Sequence, residues 1–180
     1  MKLRWSHAVV YVRDLPSILD FYTEVLGFEV TDRGPIGPPG SPELVFLSQV
    51  ETDHHQLAFL PIRQGEEPPN TVNHFAFRTA SITDVREAAR RLDADGRATE
   101  IRPVTHGSTW SIYFQDPEGN GIEVFCDTPW HVRQPQAKPW DLSMSDAELL
   151  EWTRKEFESE PEFQPIEEYY ASRSEHLRGR

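Results

Sequence analysis

The 180-residue chain is 37% hydrophobic and 11% aromatic, which is enough for a packed core and excludes general disorder. Its formal net charge of −12 argues against nucleic acid or an anionic membrane as a partner. No apolar run approaches the roughly 20 residues that cross a bilayer. The single cysteine, Cys126, excludes an internal disulfide framework. These features predict a soluble, cytoplasmic protein.

The first part of the chain, about residues 4–62, is predicted to fold as a β-α-β-β-β module. The β-branched and aromatic segment 5–12 is typical of a strand with at least one buried face. Asp14 can cap the helix that follows, and the apolar residues of this helix recur at helical spacing as far as Gly27. Three further strands are predicted at 28–31, 44–47 and 56–61.

A second module, about residues 70–128, repeats this order. A strand at 72–77 precedes a helix that Ser81 can cap and that Gly96 ends. Three more strands are predicted at 98–104, 111–115 and 121–125. The predicted fold class is therefore α+β, with two paired βαβββ modules in one domain of residues 1–128.

A single displacement of 67 residues relates polar residues in the two modules. It places His7 on His74 in the first strands, and Gln56 on Glu123 in the last strands. Polar residues embedded in apolar strands are difficult to place at the surface, and one shift that aligns both pairs indicates duplication. Duplicated modules commonly pack about a local two-fold axis, which would bring these strands around one cavity.

His7, His74 and Glu123 form a candidate metal triad. Two imidazoles and one carboxylate on one side of an ion leave up to three coordination positions open for substrate and a second reactant. A lone histidine in a strand is more often a hydrogen-bonded core or edge residue. The 67-residue repeat favours metal binding over this alternative for His7 and His74. Glu123 also favours a metal site, because a carboxylate buried between Ile122 and Val124 needs a compensating cation.

Three segments together resemble the vicinal-oxygen-chelate superfamily, which includes glyoxalase I, bleomycin- and fosfomycin-resistance proteins and extradiol catechol dioxygenases. The resemblance covers about residues 4–128, and it implies an open, cupped β-sheet around the metal. The segments are SHAVVYVRDLPSILDFYTEVLGF, NHFAFRT and DPEGNGIEVF.

The segment HHQLAF is similar to the HHxLAF segment of extradiol dioxygenases, in which the second histidine is the acid/base. The resemblance thus implies this role for His55, and a substrate-pocket role for Tyr113 and, with an offset of a residue or two, for His106. Strand packing for Tyr113 and a solvated loop for His106 stay open as alternatives. Strand alternation would instead place Gln56, and not His55, on the same side of the strand as the metal-facing His7. The neutral amide of Gln56 disfavours glyoxalase chemistry.

The resemblance favours a ring-cleaving dioxygenase that binds a catechol-like aromatic substrate and O₂ on Fe²⁺. The alternatives are a glyoxalase-type isomerase or lyase with Mn²⁺, Ni²⁺ or Zn²⁺, and a non-catalytic small-molecule binder. We expect a homodimer or higher homo-oligomer, in which the modules close one cup within a chain or by exchange between two chains.

Residues 129–180 are predicted to be an acidic, Pro-containing extension with a helix. Ser145 and Glu148 form a capping box at the start of this helix. Trp130 and Trp140 favour docking on the body or on a second subunit, since solvated linkers rarely use tryptophan. The extension is a candidate cover for the mouth of the cavity.

Overall fold

The computed structural model describes residues 4–65 and 71–178, with side chains described up to residue 175. Each module contains four strands and a helix, and the extension adds three two-residue strands and two helices. The first module comprises β1 (Ala8–Tyr11), α1 (Leu15–Asp20), β2 (Glu29–Pro35), β3 (Glu43–Ser48) and β4 (Leu57–Leu60). The second comprises β5 (Phe75–Arg78), α2 (Ile82–Asp95), β6 (Thr99–Thr105), β7 (Thr109–Gln115) and β8 (Gly121–Asp127). The extension comprises β9 (Trp130–His131), β10 (Lys138–Pro139), α3 (Asp146–Phe157), β11 (Gln164–Pro165) and α4 (Ile166–Arg178).

The two modules form equivalent sheets. The first sheet has the order β1-β4-β3-β2, and the second has the order β10-β6-β7-β8-β5. In each sheet the first strand of the module pairs in parallel with the last, while the remaining pairs are antiparallel. The α+β class with two paired βαβββ modules and a helical extension is therefore confirmed.

The helix of the first module departs from the regular α-helix that the sequence predicts. Asp14 does cap it, since its carboxylate accepts a hydrogen bond from the Ser17 amide at 3.1 Å. Beyond Asp20, however, the helix is π-helical over Phe21–Val25. The wider turn allows the consecutive side chains of Phe21 and Tyr22 both to be buried in the core.

Side chains alternate between two different environments along the first strand. Val10 is buried, whereas Val9 and Tyr11 are 49% and 54% exposed. Successive strand residues point to opposite faces, so Val9 and Tyr11 share one exposed face of β1. Trp5 and His7 precede the strand and are exposed too, Trp5 to 82%. The apolar side chains of Trp5, Val9 and Tyr11 form an exposed apolar row, Trp5 to Tyr11, that the described chain leaves largely uncovered.

A buried carboxylate joins the two modules. Glu118, in the turn before β8, accepts hydrogen bonds from the backbone amides of Arg13 and Asp14, both at 2.7 Å. The Arg63 guanidinium donates to the same carboxylate at 3.0 Å, and both side chains are almost completely buried. The Glu118 carboxylate thus accepts hydrogen bonds from the main chain that follows β1 and from the arginine that follows β4.

We expect Glu118→Ala to lower the free energy of unfolding by about 3–5 kcal/mol, because it leaves a buried arginine without this carboxylate partner. Urea denaturation followed by circular dichroism measures the loss. Glu87→Ala is the control, since the Glu87 side chain is 39% exposed on α2 and pairs there with Arg90 and Arg91. Equal stability of the two variants would contradict this assignment.

The extension packs on the second module, as the tryptophans predict. Trp140, Leu149 and Phe157 are buried, and Ser145 and Glu148 form the expected capping box of α3. Gly107, at φ +77°, permits the contact, because a Cβ there would lie 2.5 Å from Val132 Cγ1. No helix in the described part of the chain is long and apolar enough to span a membrane.

Candidate metal centre and substrate pocket

His74 and Glu123 meet near the edge of the second sheet, where β5 pairs with β8. Strands β5 and β8 are parallel neighbours with Phe75 opposite Ile122, so His74, immediately before β5, lies close to Glu123. The distance from His74 Nε2 to Glu123 Oε2 is 3.2 Å. Glu123 is only 7% exposed, and its other oxygen accepts a hydrogen bond from the Ser111 hydroxyl at 2.7 Å.

The hydrogen bonds of this pair fit a bound cation. His74 Nδ1 lies 2.6 Å from the side-chain oxygen of Asn73, which only accepts, so Nδ1 carries the proton. In a neutral ring, Nε2 then presents a lone pair to the Glu123 carboxylate, and two acceptors this close need a cation or a proton between them. Two ligands about 2.1 Å from one ion and at right angles lie about 3 Å apart. Imidazole nitrogen and carboxylate oxygen suit Fe²⁺, Mn²⁺, Ni²⁺ and Zn²⁺.

His7 lies in a separate group with His55 on the first module. The centroids of these two rings are 4.2 Å apart, and His7 Nδ1 lies 3.1 Å from the Ser6 hydroxyl. Within residues 4–65 and 71–175, no three His, Cys, Asp or Glu side chains are arranged to hold a metal ion. In this part of the chain, His7 therefore does not form a three-residue cluster with His74 and Glu123.

His55 approaches His7 although strand alternation assigns that side to Gln56. The reason is that β4 begins only at Leu57, so His55 precedes the regular strand and is not bound by its alternation. The side-chain oxygen of Gln56 accepts a hydrogen bond from the Gln49 amide at 2.9 Å. His54 is largely exposed and points towards Asp32, with 3.7 Å between Nε2 and the carboxylate.

The pKa of His55 lies below its ordinary value. Burial is the main cause, and the neighbouring His7 and His54 add electrostatic repulsion against a second charge. The environment thus favours the neutral imidazole, which is the form that can accept a proton.

Tyr113 and His106 lie beside the His74–Glu123 pair. The Tyr113 hydroxyl is 2.8 Å from His106 Nε2, and the Tyr113 ring packs edge-on against His74 with centroids 5.2 Å apart. Burial raises the pKa of Tyr113 well above its usual value, and Glu123, its cross-strand neighbour, raises it further. The hydroxyl therefore stays protonated.

Two residues with a role at the site were not identified from the sequence. Ser111 orients Glu123, and Asn73 sets the tautomer of His74. A signal for Ser111 exists, because a serine two residues before Tyr113 must share its face of the strand. Asn73 gives no comparable signal, since asparagine is common in loops.

We expect Ser111→Ala to weaken binding of a divalent metal by about 10–100-fold, because ligands lose affinity when the groups that orient them are removed. Titration of the metal-free protein with Mn²⁺, followed by calorimetry, measures the affinity. Thr99→Ala is the control, since Thr99 bonds Gln115 at the exposed end of the same sheet. An unchanged affinity in Ser111→Ala would show that this hydroxyl does not support the ligand.

Comparison with known families gives one match that covers most of the modules. Residues 4–124 match the family described as the Glyoxalase/Bleomycin resistance protein/Dioxygenase superfamily. The matched region includes His7, His55, His74, Tyr113 and Glu123 and ends before the extension.

Curated relatives with this similarity are named as dioxygenases of catechols. The metapyrocatechase of Pseudomonas sp. strain CF600 is 30% identical over 140 residues, which are 77% of this chain and 44% of that protein. A biphenyl-2,3-diol 1,2-dioxygenase of Metapseudomonas furukawaii is 35% identical over 164 residues, covering 86% and 52%. Biphenyl-2,3-diol 1,2-dioxygenase 3 of Rhodococcus globerulus is 32% identical over 128 residues, covering 69% and 63%. The chain thus spans about half the length of the curated relatives that it matches.

Solved structures share the fold at lower sequence identity. The fosfomycin resistance protein FosX of Listeria monocytogenes, complexed with Mn(II) and sulfate, superposes with a TM-score of 0.55 at 23% identity, covering 71% of this chain and 95% of that chain. A glyoxylase/bleomycin resistance protein/dioxygenase domain of Frankia sp. EAN1pec gives 0.58 at 21% identity, covering 73% and 96%.

Proposed function

Because this chain belongs to the glyoxalase/bleomycin resistance/dioxygenase superfamily, we propose that it is an extradiol-type dioxygenase that opens the ring of a catechol-like substrate with O₂. The observation that carries the proposal is the His74–Glu123 pair, held 3.2 Å apart beside Tyr113 and His106. The catechol dioxygenase names of its relatives support this choice within the superfamily.

The metal ligands in this proposal are His7, His74 and Glu123, and the metal is Fe²⁺. A bound Fe²⁺ would supply coordination sites for two vicinal substrate oxygens and for O₂. Ser111 would hold one oxygen of Glu123, so that the other faces the ion. Asn73 would hold the His74 ring with Nε2 as the ligand atom.

His55 is the proposed acid/base. Its lowered pKa keeps the imidazole neutral, ready to accept a hydroxyl proton from the substrate and to return it later. Tyr113 would hydrogen-bond a substrate oxygen and fix the orientation of the ring, and His106 would support it through its contact with the Tyr113 hydroxyl. The aromatic side chain of Phe46 packs against His55 with centroids 4.9 Å apart and would limit its rotation.

The complete site forms between two chains in this proposal. The partial site with His7 and His55 belongs to the first module, and the His74–Glu123 pair belongs to the second. A second copy, related by a two-fold axis, would place its His7 opposite the pair and would cover the exposed apolar row from Trp5 to Tyr11. A homodimer would then carry two identical sites.

A metal-dependent isomerase or lyase is the second candidate, because the FosX structure that shares this fold contains Mn(II). Glyoxalase-type sites take a fourth protein ligand, normally a carboxylate, at the position of Gln56. Here that side chain is a neutral amide that bonds the Gln49 backbone. A non-catalytic binder is the third candidate, and the presence of all three proposed ligand residues, His7, His74 and Glu123, in the sequence counts against it.

Metal analysis of protein purified without oxygen, followed by oxygen uptake with a panel of catechols, tests the proposal. We expect bound iron and the absorbance of ring-opened products. Another metal with no oxygen uptake would support the isomerase or lyase, and the absence of any bound metal would support the binder. Glu123→Gln is the negative control, since it replaces the charged ligand by a neutral amide of the same shape.

A further inference from the structure

The C-terminal extension contacts His106 through its Gln134–Gln136 segment. Strand β10 follows this segment and pairs with the end of β6, with Lys138 opposite Thr105, next to His106. The Gln134 side-chain amide donates to the main-chain oxygen of His106 at 2.7 Å. The main-chain oxygen of Gln136 accepts a short hydrogen bond from His106 Nδ1.

A carbonyl oxygen can only accept, so the contact with Gln136 requires a proton on His106 Nδ1. In the neutral ring, Nε2 then carries a lone pair. The Tyr113 hydroxyl, 2.8 Å away, is the donor to it. We infer that the extension is a positioning element of the site: the Gln136 carbonyl fixes His106 in the Nδ1–H tautomer, and His106 in turn fixes the direction of the Tyr113 hydroxyl.

The tautomer of His106 decides which of two acceptors, His106 Nε2 or the Glu123 carboxylate, takes the hydrogen bond from the Tyr113 hydroxyl. Tyr113 lies opposite Glu123 across strands β7 and β8, so its hydroxyl could also point to that carboxylate. When His106 Nε2 is the acceptor, the proton of the Tyr113 hydroxyl points towards His106. Glu123 then keeps one oxygen for Ser111 and the other for a metal, and the free lone pairs of the Tyr113 oxygen accept a hydrogen bond from a hydroxyl of the bound substrate.

Other contacts make the extension rigid enough to hold this position. The Trp140 indole donates to the main-chain oxygen of Ser111 at 3.1 Å, and Trp110 donates to the Thr153 hydroxyl at 2.8 Å. The Gln136 amide also donates to the Gln134 side chain at 2.9 Å, which ties the two glutamines together. The extension lies outside residues 4–124, which match the family.

The tautomer is measurable without metal or substrate. Long-range proton–nitrogen NMR spectra of protein labelled with ¹⁵N-histidine distinguish the protonated ring nitrogen from the free one, and His106→Asn identifies the signals. We expect the Nδ1–H form in the wild-type protein and in Tyr113→Phe. An Nε2–H form in the wild-type protein would overturn the inference, as would a switch to that form in Tyr113→Phe, which would show that Tyr113 sets the tautomer.

Gln134→Met tests the segment itself, because it keeps the length of the side chain and removes its hydrogen bonds to His106 and Gln136. We expect mixed tautomers of His106 and, with a catechol, a fall in kcat of about 10–100-fold. Gln164→Met, in the same extension, is the control. An unmixed Nδ1–H form with unchanged kcat in Gln134→Met would overturn the inference. The kinetic result rests on the proposed function, whereas the tautomer stands even if no catechol is cleaved.

Discussion

Mixing two inactive variants should restore activity. His7→Ala and His74→Ala each remove one proposed ligand, and each should reduce oxygen uptake to background. When the two chains are unfolded together and refolded in equal amounts, half of the dimers contain one of each. In such a dimer one site combines the intact His7 of one chain with the intact His74 of the other, so about one quarter of all sites are complete. Oxygen uptake and bound iron should both reach about that fraction.

A matched mixture controls for this result. His74→Ala and Glu123→Gln both alter the second module, so no combination of these chains yields a complete site, and their mixture should stay inactive. If the modules of one chain enclosed the metal together, the His7→Ala and His74→Ala mixture would stay inactive as well. That outcome would contradict the two-chain site and leave the dioxygenase chemistry to be tested separately.

His55→Ala should lower turnover by about 10²–10⁴-fold, the range that positioned acid/base groups contribute. Iron should remain bound, because His55 is not one of the proposed ligands. The measurement combines steady-state oxygen uptake with metal analysis of the same sample, so that loss of chemistry is separated from loss of metal.

His54→Ala is the neighbouring variant for comparison. His54 Nδ1 lies 2.9 Å from His55 Nδ1, and its Nε2 faces Asp32, so its loss disturbs His55 without removing it and should lower turnover less than His55→Ala does. An undiminished rate in His55→Ala would show that the acid/base lies elsewhere. A loss of iron in His55→Ala would instead make His55 a ligand.

The strands, the helix caps and the duplication could be predicted from the sequence, because they depend on local patterns. Asp14, Ser81 and Ser145 cap helices as expected, since a cap and its partner lie within three residues. The π-helical turn after Asp20 has no such signal, because it depends on the packing of Phe21 and Tyr22 against distant strands.

The site was predicted less completely for a related reason. The 67-residue shift identifies equivalent positions in the two modules, and His74 and Glu123 do meet. Equivalence does not determine how the two sheets face each other, however, so it could not show that His7 joins no three-residue cluster with the pair in the described part of the chain. The contact between Gln136 and His106 could not be predicted either, because the neighbouring two-residue strand β10 has no periodic pattern in the sequence.

The buried Glu118 also bears on how a substrate enters. Its bonds to Arg13, Asp14 and Arg63 clamp the modules of one chain together, and the Tyr22–Asp116 bond reinforces the clamp. Hinge motion between these modules would break several buried polar contacts at once. In the proposed homodimer, a motion that admits a ligand would therefore occur at the junction of the two subunits or in the extension, while the two clamped modules of each chain move together.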